Sequence, residues 1–148
     1  MRILVINGPN INLLGTREPD KYGTDTLESI ISYIKNEAIN LNVEIDFFQS
    51  NIEGEIVNKI QQAIGFFDGI IINPAAYTHT SVAIRDAILA VNIPTVEIHL
   101  SNIHKREEFR HTSLTAPACI GQITVFGKIG YKIGLIAIVD YLNRSIKL

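Results

Sequence analysis

The amino-acid sequence predicts an α/β protein whose parallel sheet is covered by helices on both faces. Three observations predict it: five apolar runs rich in β-branched residues, segments of helical periodicity between them, and runs that are continuous rather than alternating in polarity. Continuous apolar runs are typical of strands buried on both faces of a sheet. Strands that alternate with helices along the chain predict right-handed crossovers, and therefore a parallel sheet.

The predicted strands follow the apolar runs in chain order, and they are Ile3–Ile6, Val43–Phe48, Gly69–Ile72, Pro94–Ile98 and Ile120–Phe126. For five such strands we expect the order 2-1-3-4-5, which is the flavodoxin-like three-layer sandwich. This order places the carboxyl ends of the first and third strands on either side of a crevice. The loops that leave those two ends are Asn7–Gly23 and Asn73–Thr80.

Four helical segments complete the alternation. Apolar stripes identify the first three, and they consist of Leu27, Ile30, Ile31, Ile34, Ala38 and Leu41, then Ile56, Ile60, Ala63 and Ile64, then Ala83, Ile84, Ala87, Ile88 and Val91. Asp25, with Glu28 three residues later, predicts the N-cap of the first helix. The last segment, Gly130–Leu142, is apolar nearly all round, which predicts a helix buried against more than one surface.

Length and composition indicate a single domain, residues 1–148, with a sizeable core, because 47% of the residues are hydrophobic. The mean hydropathy is positive, so we expect other subunits to cover part of the surface. A net charge of −2 gives no basic surface for nucleic acid. We expect neither a signal peptide nor a membrane span. The single cysteine, Cys119, favours a reducing cytoplasm, where it would be a small buried hydrophobic residue.

The loop Asn7–Gly23 is predicted to be functional, because most strand-to-helix loops have only about 2–6 residues. It carries Asn10, Arg17 and Tyr22. Tyrosine, with a reference pKa of about 10, is only ~0.1% ionised at neutral pH, but an adjacent guanidinium group favours the phenolate. Tyr22 could therefore be a base beside Arg17. Alternatively, its ring only packs the loop and its hydroxyl bonds to the backbone.

Two further polar clusters follow the third and fourth strands and predict a site where the strand ends converge. The first, Asn73–His79, ends in a histidine that could bond a ligand hydroxyl or only cap a turn. The second begins Glu97-Ile98-His99 and continues through Leu100 and Ser101. His99 could donate a proton near neutral pH, with Glu97 on the same strand face to orient it. It could equally be a histidine whose hydrogen bonds are satisfied at a strand end.

Other charged residues leave two interpretations open. Arg106 and Arg110 form a charged turn that could be a solvated face or could reach a ligand. Asp86 lies off the apolar stripe of the third helix, so it could be surface charge or a contact across a subunit boundary. Cys/His clusters and phosphate-binding glycine motifs are missing from the sequence, so we expect neither a metal nor a nucleotide cofactor.

Two non-enzymatic functions are alternatives to catalysis. One is a flavodoxin-like module that binds a flavin or accepts a phosphoryl group. Phosphoryl acceptance needs an acidic pocket at the ends of the first and third strands, where this chain has Asn7 and Asn73. The other is a purely structural oligomer, which leaves the polar residues of three loops unexplained.

The chain resembles the type II dehydroquinases over almost its whole length. The residues that carry the resemblance are Gly8-Pro9-Asn10-x-Asn12-Leu13-Leu14-Gly15-x-Arg17-Glu18-Pro19-x-x-Tyr22-Gly23, Asn51-x-Glu53-Gly54, Asn73-Pro74-Ala75-Ala76-Tyr77-Thr78-His79-Thr80-Ser81, Glu97-Ile98-His99-Leu100-Ser101-Asn102 and Arg106-Glu107-x-Phe109-Arg110-His111. These blocks stand in the family's order. After Gly121-x-Ile123 the family often has glycine where this chain has Val125, which we expect to affect only local strand packing.

The resemblance implies a flavodoxin-like fold and a dodecamer built as a tetramer of trimers. It implies reversible dehydration of 3-dehydroquinate to 3-dehydroshikimate through an enolate, without a metal, a cofactor or a Schiff-base lysine. Tyr22 would remove the C2 proton that lies anti to the departing C1 hydroxyl, and Arg17 would hold Tyr22 as the phenolate. Asn10 would help to hold a water against the enolate oxygen, and His99 would protonate the leaving hydroxyl.

The same resemblance implies a set of substrate contacts. The backbone N–H groups of Leu100 and Ser101 would hold the substrate carboxylate, with Asn73 beside it. The other residues implied are His79 and Arg110 on ring hydroxyls, Asp86 from a neighbouring subunit, and Arg106, which would close with the first loop.

Overall fold

A computed structural model of the chain describes residues 1–16, 20 and 24–145. The strands and α-helices that lie wholly within these residues are β1 (Arg2–Asn7), α1 (Leu27–Asn40), β2 (Glu44–Gln49), α2 (Glu53–Gln61), β3 (Gly69–Asn73), α3 (Val82–Val91), β4 (Thr95–His99), β5 (Gly121–Thr124) and α4 (Lys128–Ser145). The strands form one sheet in the order β2-β1-β3-β4-β5, and each neighbouring pair is parallel. The predicted flavodoxin-like fold is therefore confirmed.

The central strands are buried on both faces, which explains their continuous apolar sequence. In β1, Ile3 and Val5 pack in a core cluster with residues of α1 and α4, whereas Leu4 and Ile6 pack with α2 and α3. Successive side chains of a strand point to opposite faces. Each apolar run therefore contributes to two separate cores, and the helices form the outer two layers.

β5 is the strand that departs most from its prediction. The apolar run Ile120–Phe126 predicted seven residues of strand, but β5 ends at Thr124. Val125 and Phe126 have φ angles of 76° and 70°, a left-handed conformation that cannot continue a strand and is unfavourable for a β-branched residue. The N–H of Val125 donates to the carbonyl of Ser101 at 3.3 Å, so this departure from the family pattern lies against the predicted site.

Two details of the first two helices were predicted wrongly. The N-cap of α1 is Thr26, whose hydroxyl accepts the Ser29 N–H at 3.1 Å. Asp25 is one residue too early to cap, and its carboxylate pairs with the Lys128 ammonium at 3.0 Å. Ile64 continues the apolar stripe of α2, but the helix ends at Gln61 and Ile64 is exposed.

The last helix, α4, is longer than its apolar segment and buried on one face only. Tyr131, Leu135 and Ile138 are buried in the core, whereas other apolar residues of the helix are exposed, among them Ile129, Ile133 and Ile136. Within the single chain, the second covering surface that the sequence predicted is therefore missing. Among the helices of residues 1–16, 20 and 24–145, none has the length and apolar character that a membrane crossing requires.

Candidate active site

A cleft opens where β1, β3 and β4 end, at the point where the strand order reverses. Its volume is about 650 Å³, including the solvent-filled mouth. Parallel α/β sheets bind ligands in such a crevice. The structure brings together at its walls eight of the residues singled out from the sequence, which are Asn10, Asn73, His79, His99, Leu100, Ser101, Arg106 and Arg110.

Three other residues singled out from the sequence are not among the described residues of these walls. Asp86 is exposed on α3 and does not line this cleft. Arg17 and Tyr22 lie outside the described residues. The described walls therefore hold the predicted proton donor and the predicted substrate contacts other than Asp86. The predicted base, Tyr22, lies in the part of the first loop that is not described.

The centre of the cleft is an imidazole bonded to a buried carboxylate. His99 Nε2 lies 2.6 Å from Oε1 of Glu97, and Glu97 has no solvent exposure. Burial raises the pKa of Glu97, but the hydrogen bond and charge of His99, with the Thr115 and Thr78 hydroxyls, outweigh burial and lower the pKa to about 2. Because an ionised carboxylate can only accept, Nε2 of His99 carries a hydrogen, and Nδ1 is left for other partners.

Sequence reasoning did not find the donors that surround Glu97. Its carboxylate accepts hydrogen bonds from Thr78 at 2.8 Å, Gln122 at 2.9 Å, Ser113 at 3.0 Å and Thr115 at 2.5 Å. These residues lie 16 to 25 positions from Glu97 in the chain, so no local spacing points to them. Together they fix the carboxylate, and through it the ring of His99.

His79 is held as a hydrogen-bond acceptor toward the cleft. Its Nδ1 lies 2.8 Å from the Thr112 carbonyl; since a carbonyl only accepts, Nδ1 carries the hydrogen. Burial lowers the pKa of His79; the Thr112 carbonyl partly opposes this, while the neighbouring charges of His99 and Arg110 lower the pKa further. A neutral ring with hydrogen on Nδ1 has a lone pair on Nε2, which suits a hydroxyl group of a ligand.

The two arginines on the cleft wall make it attractive to anions. The Nε of Arg110 donates to Glu107 at 2.8 Å, and the Nε of Arg106 lies 3.8 Å from the same carboxylate oxygen. The backbone carbonyl of Arg106 lies 3.0 Å from Nε2 of His111, a histidine to which the sequence assigned no role. Two guanidinium groups on one concave wall raise the local concentration of an anionic ligand.

The first loop packs directly on the loop after β3. The N–H of Gly8 donates to the Asn73 carbonyl at 2.8 Å, and a Cβ at Gly8 would lie only 2.5 Å from the Pro74 carbonyl oxygen. Only glycine permits this approach. Asn10 has a left-handed φ of 67°, and its N–H donates to the Asn51 side chain at 2.9 Å. These contacts fix the start of the loop against the cleft.

The backbone after β4 is oriented from behind by the bend that follows β5. The carbonyls of Leu100 and Ser101 accept the N–H groups of Gly127 and Val125, at 3.2 and 3.3 Å. Because the carbonyl and N–H of a trans peptide lie on opposite sides, the Leu100–Ser101 peptide directs its N–H away from that bend. Both residues line the cleft. The bend therefore favours a free backbone N–H as an anion donor in the site.

Fold and site together define a flavodoxin-like α/β protein with an imidazole–carboxylate pair and an anion-attracting wall at the switch point of its sheet. Among residues 1–16, 20 and 24–145, no group of three or more His, Cys, Asp or Glu side chains is arranged to hold a metal ion. The chain belongs to the dehydroquinase class II family, whose model matches residues 1–139.

Individual relatives are similar over their full length. A 3-dehydroquinate dehydratase of Clostridium acetobutylicum is 57% identical over 144 residues, which are 97% of this chain and 100% of the relative. One from Clostridium perfringens strain SM101 is 60% identical over 146 residues, 98% of this chain and 100% of the relative. The crystal structure of the type II dehydroquinase from Butyrivibrio crossotus has a TM-score of 0.89 and 50% identity, and the match covers 97% of each chain.

Proposed function

We propose that this chain is a 3-dehydroquinate dehydratase, a hydro-lyase that reversibly eliminates water from 3-dehydroquinate to give 3-dehydroshikimate. The observation that carries the proposal is the match to 3-dehydroquinate dehydratases at 57% and 60% identity over essentially the whole chain. The cleft supports it independently, because it combines a proton donor with groups suited to a hydroxylated anion. The reaction belongs to aromatic biosynthesis through the shikimate pathway, or to quinate breakdown.

His99 is the general acid of the proposed reaction. Its Nε2–H is committed to ionised Glu97, so the protonated ring has Nδ1–H available for the departing C1 hydroxyl. The Glu97 carboxylate fixes the ring plane through this hydrogen bond. A positioned acid of this kind contributes roughly 10²–10⁴-fold to the rate.

Tyr22 is the proposed base, which removes the C2 proton anti to the leaving hydroxyl. Arg17 keeps the phenol ionised and stabilises the charge that develops, while Asn10 holds a water against the enolate oxygen. Such an intermediate needs fixed donors at the oxygen where charge grows. The contacts of Gly8 and Asn10 with the neighbouring loops fix the start of the first loop beside the cleft, and the proposed role of the rest of the loop is to close over it.

The remaining site residues bind the substrate. Its carboxylate rests on the backbone N–H groups of Leu100 and Ser101, with the Asn73 amide beside it. His79 accepts a hydrogen bond from one ring hydroxyl through Nε2, and the Arg110 guanidinium donates a hydrogen bond to another. The other proposed contacts are Arg106, which closes with the first loop, and Asp86, which reaches the cleft of a neighbouring subunit.

The proposed assembly is a cytoplasmic dodecamer, a tetramer of trimers, in which each subunit is one domain of residues 1–148. Exposed apolar side chains support it, since Ile39 and Phe66 are 75% and 66% exposed in the single chain. The exposed apolar residues of α4 add to this surface. Exposed apolar area of this kind commonly marks contacts between proteins.

An ultraviolet assay tests the proposed function directly. The product has a conjugated enone, so purified protein mixed with 3-dehydroquinate should develop its absorbance, at the same rate with and without a chelator. His99→Ala and Tyr22→Phe should each lower turnover by orders of magnitude, while His104→Ala, an exposed histidine without an assigned role, should leave it unchanged. Absence of product absorbance with wild-type protein would refute the function, and a yellow protein would favour the flavin-binding alternative.

A further inference from the structure

A buried phenol lies beneath the cleft and is used by none of the steps above. Tyr131, on α4, has no solvent exposure. Its hydroxyl donates to Oδ1 of Asn7 at 2.5 Å and accepts from Nδ2 of Asn73 at 2.9 Å. These partners are the last residues of β1 and β3, so the hydroxyl bridges the two strands that flank the crevice. Burial raises the pKa of Tyr131, so the phenol keeps its proton and remains a donor.

These contacts determine which way the Asn73 amide faces. Its Oδ1 accepts the N–H of Ala75 at 3.1 Å, while Nδ2 donates to Tyr131. A flipped amide would place NH₂ against the Ala75 N–H, and its oxygen against a phenol oxygen whose only hydrogen is already given to Asn7. The flipped state therefore loses two hydrogen bonds and gains one donor–donor and one acceptor–acceptor contact. In a buried site such unpaired polar groups are costly.

We propose that Tyr131 is a positioning residue for substrate binding, which orients the Asn73 amide so that its second N–H is available to the substrate carboxylate. Asn73 lines the cleft together with Leu100 and Ser101, and an amide N–H beside their backbone donors adds to an anion site. A carbonyl oxygen in the same place would repel the anion. Tyr131 thus sets the polarity of one wall of the cleft without contacting the ligand.

The inference deepens the proposed function and rests on it for the identity of the ligand. A double-mutant cycle on the full-length enzyme tests it. Tyr131→Phe should raise the KM for 3-dehydroquinate about tenfold and change kcat by less than about threefold, since the acid and base are untouched. Asn73→Ala should raise KM by a similar factor. Because Tyr131 acts through Asn73, the double variant should be no worse than Asn73→Ala alone.

Two matched controls separate positioning from general destabilisation. Tyr33→Phe removes a phenol hydroxyl from α1, away from the cleft lining, and Ile138→Val removes one methylene from the buried face of α4 itself. Both should leave KM unchanged. The proposal would be overturned if the KM of the double variant rose by the product of the two single-variant factors. A rise in KM of the same size in Ile138→Val would overturn it as well.

A second measurement does not depend on catalysis. The side-chain amide hydrogen of Asn73 that is bonded to Tyr131 should exchange slowly with solvent in the wild-type protein, and quickly in Tyr131→Phe, in nitrogen-edited NMR spectra. Slow exchange in both proteins would refute the positioning role even if the enzyme is active. Absence of turnover in wild type combined with the expected exchange difference would instead refute the proposed function and leave the orientation of Asn73 established.

Discussion

Glu97 shows how much of a site can depend on one buried charge. Its carboxylate has no exposure and accepts hydrogen bonds from five side chains. The strand position of Glu97, two residues before His99, could be read from the sequence, and it correctly suggested that the carboxylate orients the ring. The hydroxyl donors could not be read in this way, because folding brings them from segments that share no periodicity with β4.

The depressed pKa of Glu97 predicts a loss of stability in acid. Because the folded pKa of about 2 is below the unfolded value of 4.5, the stabilisation is complete above pH 4.5 and disappears as pH falls toward 2. The shift corresponds to about 3 kcal/mol of unfolding free energy. Urea unfolding at pH values from 7 to 3 measures this. The free energy of unfolding of the wild type should exceed that of Glu97→Gln at pH 7, and the difference should shrink as the pH falls. Glu28 is exposed and serves as the control. If the difference between wild type and Glu28→Gln shrank equally as the pH fell, the assignment to Glu97 would be contradicted.

Val125 provides a residue-scale test of backbone strain. Its φ of 76° favours glycine over alanine by roughly 1–2 kcal/mol, so Val125→Gly should be more stable than Val125→Ala. The control pair is at Val82, the first residue of α3, where alanine should still be the more stable, by less than the ~1 kcal/mol of a helix interior. Chemical denaturation of the four variants measures both differences, and the same order at both positions would exclude strain at Val125.

At the scale of elements, the sequence was most informative where burial alone decides structure. The strands β1 to β4 begin and end within one residue of their apolar runs. In β1, β3 and β4 both faces are buried, whereas β2, at the edge of the sheet, exposes Glu44 and Asp46. The start of α1 and the ends of α2 and β5 depend on single hydrogen bonds and dihedral angles, and at these three points the prediction was wrong. Asp25 and Thr26 are adjacent and both suit an N-cap, so only the geometry shows that Thr26 accepts the Ser29 N–H.

The corrected N-cap of α1 predicts a difference between two neighbouring substitutions. Thr26→Ala should lower the free energy of unfolding by about 1 kcal/mol at any ionic strength, because it removes a cap. Asp25→Ala removes a partly exposed ion pair with Lys128, so its smaller loss should vanish in high salt. Denaturation at low and high salt distinguishes them. A salt-sensitive loss for Thr26→Ala would show that it does not cap the helix.

At the scale of the whole molecule, the single chain leaves α3 and α4 incompletely covered. α4 exposes apolar side chains along one face, and α3 exposes Val82, Asp86 and Leu89 at positions that share a helix face. The sequence identified the apolar excess and the outward position of Asp86, but one chain contains no information about which copy covers which face. The proposed trimer gives that outward carboxylate a function, as a contact supplied to a neighbouring cleft.

Subunit complementation tests this shared site. Asp86→Ala and His99→Ala should each be severely impaired, because each lacks one component of every site. In mixed trimers, a site with His99 from an Asp86→Ala subunit and Asp86 from a His99→Ala neighbour is intact. Random mixing at equal amounts places such a pair at roughly a quarter of the sites of a cyclic trimer.

Co-refolded mixtures should therefore recover roughly a quarter of wild-type turnover, whereas separately refolded proteins combined afterwards should not. Sedimentation of each variant provides the control, because Asp86→Ala must retain the wild-type mass for the comparison to hold. Leu89→Glu places a charge on the same outward face of α3 and should reduce both mass and turnover together. Recovery of no activity in the co-refolded mixture, with assembly intact, would mean that Asp86 belongs to no neighbouring cleft.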